Sequence, residues 1–138
     1  MDNIIIKKKY DEDGLIELKV TVDSKFIKAY QYCYIQDIDL KMNAEKILYY
    51  SKHYDNACYI EFGEKDGDFT PAFSLEFLKA DVRGHVKIEV DIEIADNGNR
   101  SHRCSCYVET ELGLVEQFGN HIQKLILADI NTEISLCR

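Results

Sequence analysis

The chain has 138 residues, 46% of them hydrophobic, which is enough for one domain with its own core and no need of disulfide or metal support. Asp and Glu number 25 against 17 Lys and Arg, and the net charge of −8 argues against nucleic-acid phosphate and anionic lipid as partners. No run approaches the ~20 apolar residues of a spanning helix, and MDNIIIKKKY lacks the long apolar core of a signal peptide, so a cytoplasmic location is expected.

In chain order, residues 3 to 10 read as a short edge strand closed by the turn Asp11-Glu12-Asp13-Gly14. Leu15 to Val22 alternates cleanly, with Ile16, Leu18, Val20 and Val22 on one side. Phe26 to Ile35 returns as a third strand carrying Tyr30, Tyr32 and Tyr34, and its pattern leaves open whether those tyrosines are exposed or covered. Helical spacing of Leu40, Ala44, Ile47 and Leu48 predicts a helix from about 38 to 52, with Asp37 or Asp39 as its cap. Cys58, Ile60 and Phe62 mark a strand, Gly63 to Pro71 a long loop, and Phe73, Leu75 and Phe77 another strand.

Gly84 to Glu109 is the clearest element. Val86, Ile88, Val90, Ile92 and Ile94 alternate with Lys87, Glu89, Asp91 and Glu93, and Asp96 to Asn99 is a turn sequence that tolerates positive φ. A three-residue loop at 97–99 sets Ile88 and Ile92 opposite Val108 and Cys104, with Glu93 opposite Arg103 and Lys87 opposite Glu109. Burial and charge agree on that register. Leu114, Val115, Phe118, Ile122, Leu125 and Ile126 then form the apolar stripe of a second helix, capped by Glu109 or Thr110. Residues 129–138 end the chain as a short strand or a loose tail. The expected fold is α+β: a mainly antiparallel sheet of six to seven strands with two helices on one face, as a single domain over 1–138. No internal repeat, low-complexity tract or linker is seen.

Candidate chemistry is sparse. His102-x-Cys104-x-Cys106 offers zinc-type ligands, but alternate side chains of a strand stand about 6.5–7 Å apart, so they converge poorly on one ion. Buried thiols are the simpler reading, and the five cysteines fit a reducing compartment. Asp91 and Glu93 could in principle form an acid/base pair, yet they share their face with Lys87, Glu89, Arg103 and Glu109, a charge-paired surface. Gly63 and Gly67 lie in an acidic stretch unsuited to phosphate, and no histidine stands beside a nucleophile elbow. Neither enzyme activity, cofactor nor metal is expected. The stronger lead is a protein-binding face: Glu89, Asp91, Glu93, Arg103 and Tyr107 on the hairpin, with Glu64, Asp66 and Asp68 in the loop, would steer a basic partner, while tyrosines supply contact area.

From Gly84-His85 through the strand Val86 to Ile94, the second strand ending in Tyr107-Val108-Glu109-Thr110-Glu111, and a closing helix with Leu114, Phe118 and Ile122, the chain resembles the WapI-type immunity proteins of bacteria. Ile16 to Tyr34, the helix after Asp37 and the strand Tyr59 to Phe62 follow the same order of elements. The resemblance implies a stoichiometric, non-enzymatic binder that neutralises a cognate toxin, and it implies no catalytic set. Whether such a binder is monomeric or homodimeric stays open. The alternative is a small-ligand-binding or housekeeping domain with a pocket between sheet and helices, for which a cavity lined by Tyr30, Tyr32 and His102 would speak.

Overall fold

The computed structural model describes residues 2–63, 72–96 and 100–137. The elements are β1 (Asn3–Glu12), β2 (Leu15–Asp23), β3 (Lys28–Gln36), α1 (Asp37–Lys52), β4 (Cys58–Phe62), β5 (Ala72–Phe77), β6 (His85–Asp96), β7 (Arg100–Glu111), α2 (Leu112–Leu125) and β8 (Glu133–Ser135). The fold is α+β and wholly antiparallel. Among the described residues eight strands form two sheets, ordered β3-β2-β1-β8 and β4-β5-β6-β7. The helices pack on each other, α1 also touching β3 and β4 and α2 touching β7 and β8. The inward faces of both sheets and both helices share one apolar core.

The long hairpin has the register that burial and charge demanded: Ile88 faces Val108, Ile92 faces Cys104, Glu93 faces Arg103 and Lys87 faces Glu109. Its turn, 97–99, lies outside the described residues. The helix caps differ from expectation. Gln36 and Glu111 hold the N-cap positions and neither gives a side-chain cap. Instead a glycine carbonyl accepts the first helical N–H, Gly14 from Asp37 at 2.7 Å and Gly84 from Leu112 at 2.9 Å. Both glycines have φ near +85° (+86° and +84°), a conformation an L side chain rarely adopts, so each turn is tied to glycine.

That shared cap is part of a larger correspondence. From Gly14 and from Gly84 the buried positions of the next strand fall two, four, six and eight residues on, at Ile16, Leu18, Val20, Val22 and at Val86, Ile88, Val90, Ile92. Leu15 pairs with Gln36 as His85 pairs with Glu111, each the last residue before a helix. Within the helices, Leu40, Asn43, Ala44, Ile47 and Tyr50 are buried at the same offsets as Val115, Phe118, Gly119, Ile122 and Leu125. Each helix then sends its following strand to the other sheet, β4 beside β5 and β8 beside β1, with Leu75 facing Ile60 as Ile6 faces Ile134. The molecule is thus two β-β-β-α units, each completed by a strand that follows the other unit's helix. No repeat is legible in residue identities because what recurs is the offset of burial, which any apolar residue can satisfy.

Candidate acidic sheet face

Alternation along β4 to β7 turns one set of side chains away from the core. Cross-strand register lines these up in rows, since directly opposed residues are neighbours on one face. One row runs Tyr59, Glu76, Glu89, Tyr107 and the next Glu61, Ser74, Asp91, Ser105. Glu93 and Arg103 add a third step. The result is a band of carboxylates bordered by two tyrosines, 44% and 52% exposed, with Ser74 buried among its charged neighbours.

Internal pairing is local. Arg103 donates to Glu93 Oε2 at 3.0 Å, the Tyr107 hydroxyl donates to Glu89 Oε2 at 2.9 Å, and the Tyr59 hydroxyl donates to Glu61 Oε2 at 2.6 Å. Lys87 Nζ stands 5.6 Å from the Tyr107 ring centroid. Its hydrogen bond to the Glu89 carboxylate, with the negative field of Glu89 and Glu76, raises the Tyr107 hydroxyl above the ordinary phenol range, so it is a fixed neutral donor at neutral pH. Glu76 and Glu89 stand directly opposite on adjacent strands, an arrangement that costs stability in an isolated sheet.

The hairpin residues singled out from the sequence, Glu89, Asp91, Glu93, Arg103 and Tyr107, therefore do come together on this face. Glu64, Asp66 and Asp68 lie outside the described residues. Glu76 belongs to the face and was not among the expected residues, although the alternation of Phe73, Leu75 and Phe77 turns it outward. Three of the tyrosines are elsewhere. Tyr30, Tyr32 and Tyr34 are an exposed row on β3, 56%, 37% and 44% accessible, in the other sheet, which settles the question their strand pattern left open.

His102, Cys104 and Cys106 do not form a metal site: among the described residues no group of three His, Cys, Asp or Glu could hold an ion. All five cysteines are free. Burial pushes the Cys106 thiol up, and pushes Cys33 up to about 12, so both stay protonated and behave as core filler. A groove of about 840 Å³ lies where the free edges of β3 and β4 face each other over α1, lined by Tyr34, Ile35, Met42, Asn43, Tyr59 and Glu61 among others. Asn43 closes part of it by donating to the Glu61 carbonyl at 2.8 Å. Tyr30, Tyr32 and His102 line neither this groove nor its neighbour beside Tyr49 and Cys58. No described helix is long and apolar enough to cross a membrane.

No family model, curated protein or solved structure matches the chain.

Proposed function

We propose that this protein is a cytoplasmic, bacterial immunity-type binder that neutralises a basic toxin domain by stoichiometric association, the role implied by its resemblance to the WapI-type immunity proteins. The observation that supports the reading is the row Tyr59, Glu76, Glu89, Tyr107. Two adjacent carboxylates at strand spacing receive guanidinium or ammonium groups, and a tyrosine at either end gives rigid contact area at small entropic cost. Nothing in this reading calls for a catalytic group, cofactor or metal.

The test is co-expression with the toxin domain encoded beside this gene. Wild type is expected to protect the cells and to co-purify with the toxin in a fixed ratio. The Glu76→Lys/Glu89→Lys variant is expected to lose most protection while remaining folded, because both half-buried side chains lie on the sheet face turned away from the core. Absence of any complex, or undiminished protection by that variant, would overturn the assignment of this face. A second reading, a small ligand held between sheet and helix, is favoured by the groove over α1. Its signature is a thermal shift with small molecules that Asn43→Leu abolishes.

A further inference from the structure

The outer face of the other sheet has the opposite sign at corresponding positions. Lys7 pairs with Lys19, and Lys19 with Tyr32, across β1, β2 and β3. Counted from the glycine turn and from the helix start, Lys19 corresponds to Glu89 and Tyr32 to Tyr107; counted through the strand pairing, Lys7 corresponds to Glu76. One sheet thus presents Lys, Lys, Tyr where the other presents Glu, Glu, Tyr. Beyond Lys7 the row ends in Glu133, its one acidic member. Lys19 Nζ lies 4.6 Å from the Tyr30 ring centroid and 5.9 Å from that of Tyr32, so the ammonium is held at the aromatic surface.

We infer that the lysine–tyrosine face of β1–β3 docks on the acidic face of β4–β7 of a second copy of this chain. Two like charges directly opposed on neighbouring strands are unfavourable within one molecule, and each face carries one such pair. Both pairs have the spacing of directly opposed residues, about 5 Å, so Lys7 and Lys19 of one copy match Glu76 and Glu89 of the next. Meeting relieves both repulsions together, while Tyr32 and Tyr107 add aromatic area at the border. Single-stranded nucleic acid also favours lysine beside aromatic rings, but this face carries Glu17 and Glu133 with its lysines, and the molecule bears −8 overall. Because the two faces differ, the contact is head-to-tail and repeats from copy to copy unless the rotation closes a ring. A basic toxin at the acidic face competes with it, yet the lysine–tyrosine face is new and does not rest on the toxin reading.

Sedimentation velocity of the full chain tests this. Wild type is expected to show mass increasing with concentration at about 20 mM salt, with association weakened roughly tenfold or more at about 300 mM as the screening length shrinks. At the proposed contact Lys7→Glu/Lys19→Glu sets carboxylates against carboxylates and Glu76→Lys/Glu89→Lys ammonium groups against ammonium groups, so each alone is expected to stay monomeric. Their mixture is expected to associate through the reversed pair. The single changes Lys19→Glu and Glu89→Lys give the same comparison should a double variant fold poorly, and circular dichroism reports folding throughout. A monomer at every concentration, association indifferent to either substitution, or a silent mixture would overturn the inference. So would a labelled single-stranded oligonucleotide that binds wild type and not Lys7→Glu/Lys19→Glu. Failure here leaves toxin protection unaffected, since that is read from a complex with a different protein.

Discussion

Lys8 and Phe77 occupy corresponding places in the two units, and they are buried by different chemistry. Phe77 faces Ile88 on β6 and packs on Tyr50 of α1, ring centroids 5.5 Å apart, while the Tyr50 hydroxyl donates to the Leu78 carbonyl. Lys8 faces Leu18 on β2 and reaches the end of α2, where Nζ donates to the Ile126 and Ala128 carbonyls at 2.8 and 2.9 Å and pairs with Asp11 at 3.3 Å. An ammonium has three donors and here finds three oxygens, which is why it tolerates 2% exposure. Its charge also suits the negative end of the helix. One unit closes its first strand on the other unit's helix with a tilted aromatic contact, the other with a cation. The same backbone position accepts either, because what the fold fixes is that the group must reach the helix end.

The comparison can be broken most severely at these two residues. Phe77→Ala is expected to cost about 3–5 kcal/mol by emptying a fully buried ring site. Lys8→Ala should cost about 2–4 kcal/mol by stripping two carbonyls of their charged donor. Urea unfolding with unchanged slope would report both. If Lys8→Ala proves neutral, the lysine is ornament and the two units are not closed at equivalent points.

Alkaline pH probes the units less severely. Burial, with Glu17 nearby, pushes the Cys33 thiol up to about 12, and burial, with Cys58 nearby, raises the Tyr50 hydroxyl to about 12. Both folded values are raised, so their stabilisation is complete below the unfolded values and is lost as pH rises towards 12. Unfolding midpoints should therefore fall from about pH 9 upward for the thiol and from about pH 10 for the phenol. Cys33→Ala should flatten the lower part of that fall, and Cys33 should be the last thiol to react with a disulfide reagent at pH 8.

Connectivity gives a gentler trial. Cys137 N–H donates to Asn3 Oδ1 at 2.9 Å, so β8 and β1 are joined in space as β4 and β5 are joined in sequence. A permuted chain that links residue 138 to residue 1 by a short linker and opens between Gly63 and Ala72 is expected to keep the fold within about 2 kcal/mol, since loop closure depends weakly on loop length. Loss of the native circular dichroism spectrum would break the proposed equivalence of the two units.

The smallest effect is expected where the helices cross. Gly119 corresponds to Ala44, and a Cβ at Gly119 would stand 3.0 Å from the Leu48 side chain. Gly119→Ala gains about 1 kcal/mol of helix propensity and meets a crowding cost of similar size, so its melting temperature should move by only a few degrees.

Much of this architecture was legible in the sequence, and the rest was hidden for definite reasons. The hairpin register around Ile88 and Val108 could be read because turn chemistry, burial and charge all restricted it. Both helices could be read from their apolar spacing. Division into two sheets could not, because it depends on Ile134 finding Ile6 through a three-residue strand at the far end of the chain. With sheet membership hidden, Tyr30, Tyr32 and Tyr34 were grouped with carboxylates that belong to the other sheet. Side-chain caps are the common device, so the sequence points to Asp37 or Asp39 and to Glu109 or Thr110 as caps. The acceptors are the Gly14 and Gly84 carbonyls, which leave no sequence signature beyond the glycines themselves.

Handing the last strand of each unit to the other has a consequence for synthesis. The first sheet's β1, β2 and β3 leave the ribosome together, but their fourth strand, Glu133–Ser135, emerges only after the whole second unit through α2. Until then the β1 edge has no β8 beside it, and Lys8 has no helix end to hold. The nascent chain therefore carries an incomplete first sheet until α2 and β8 have both emerged.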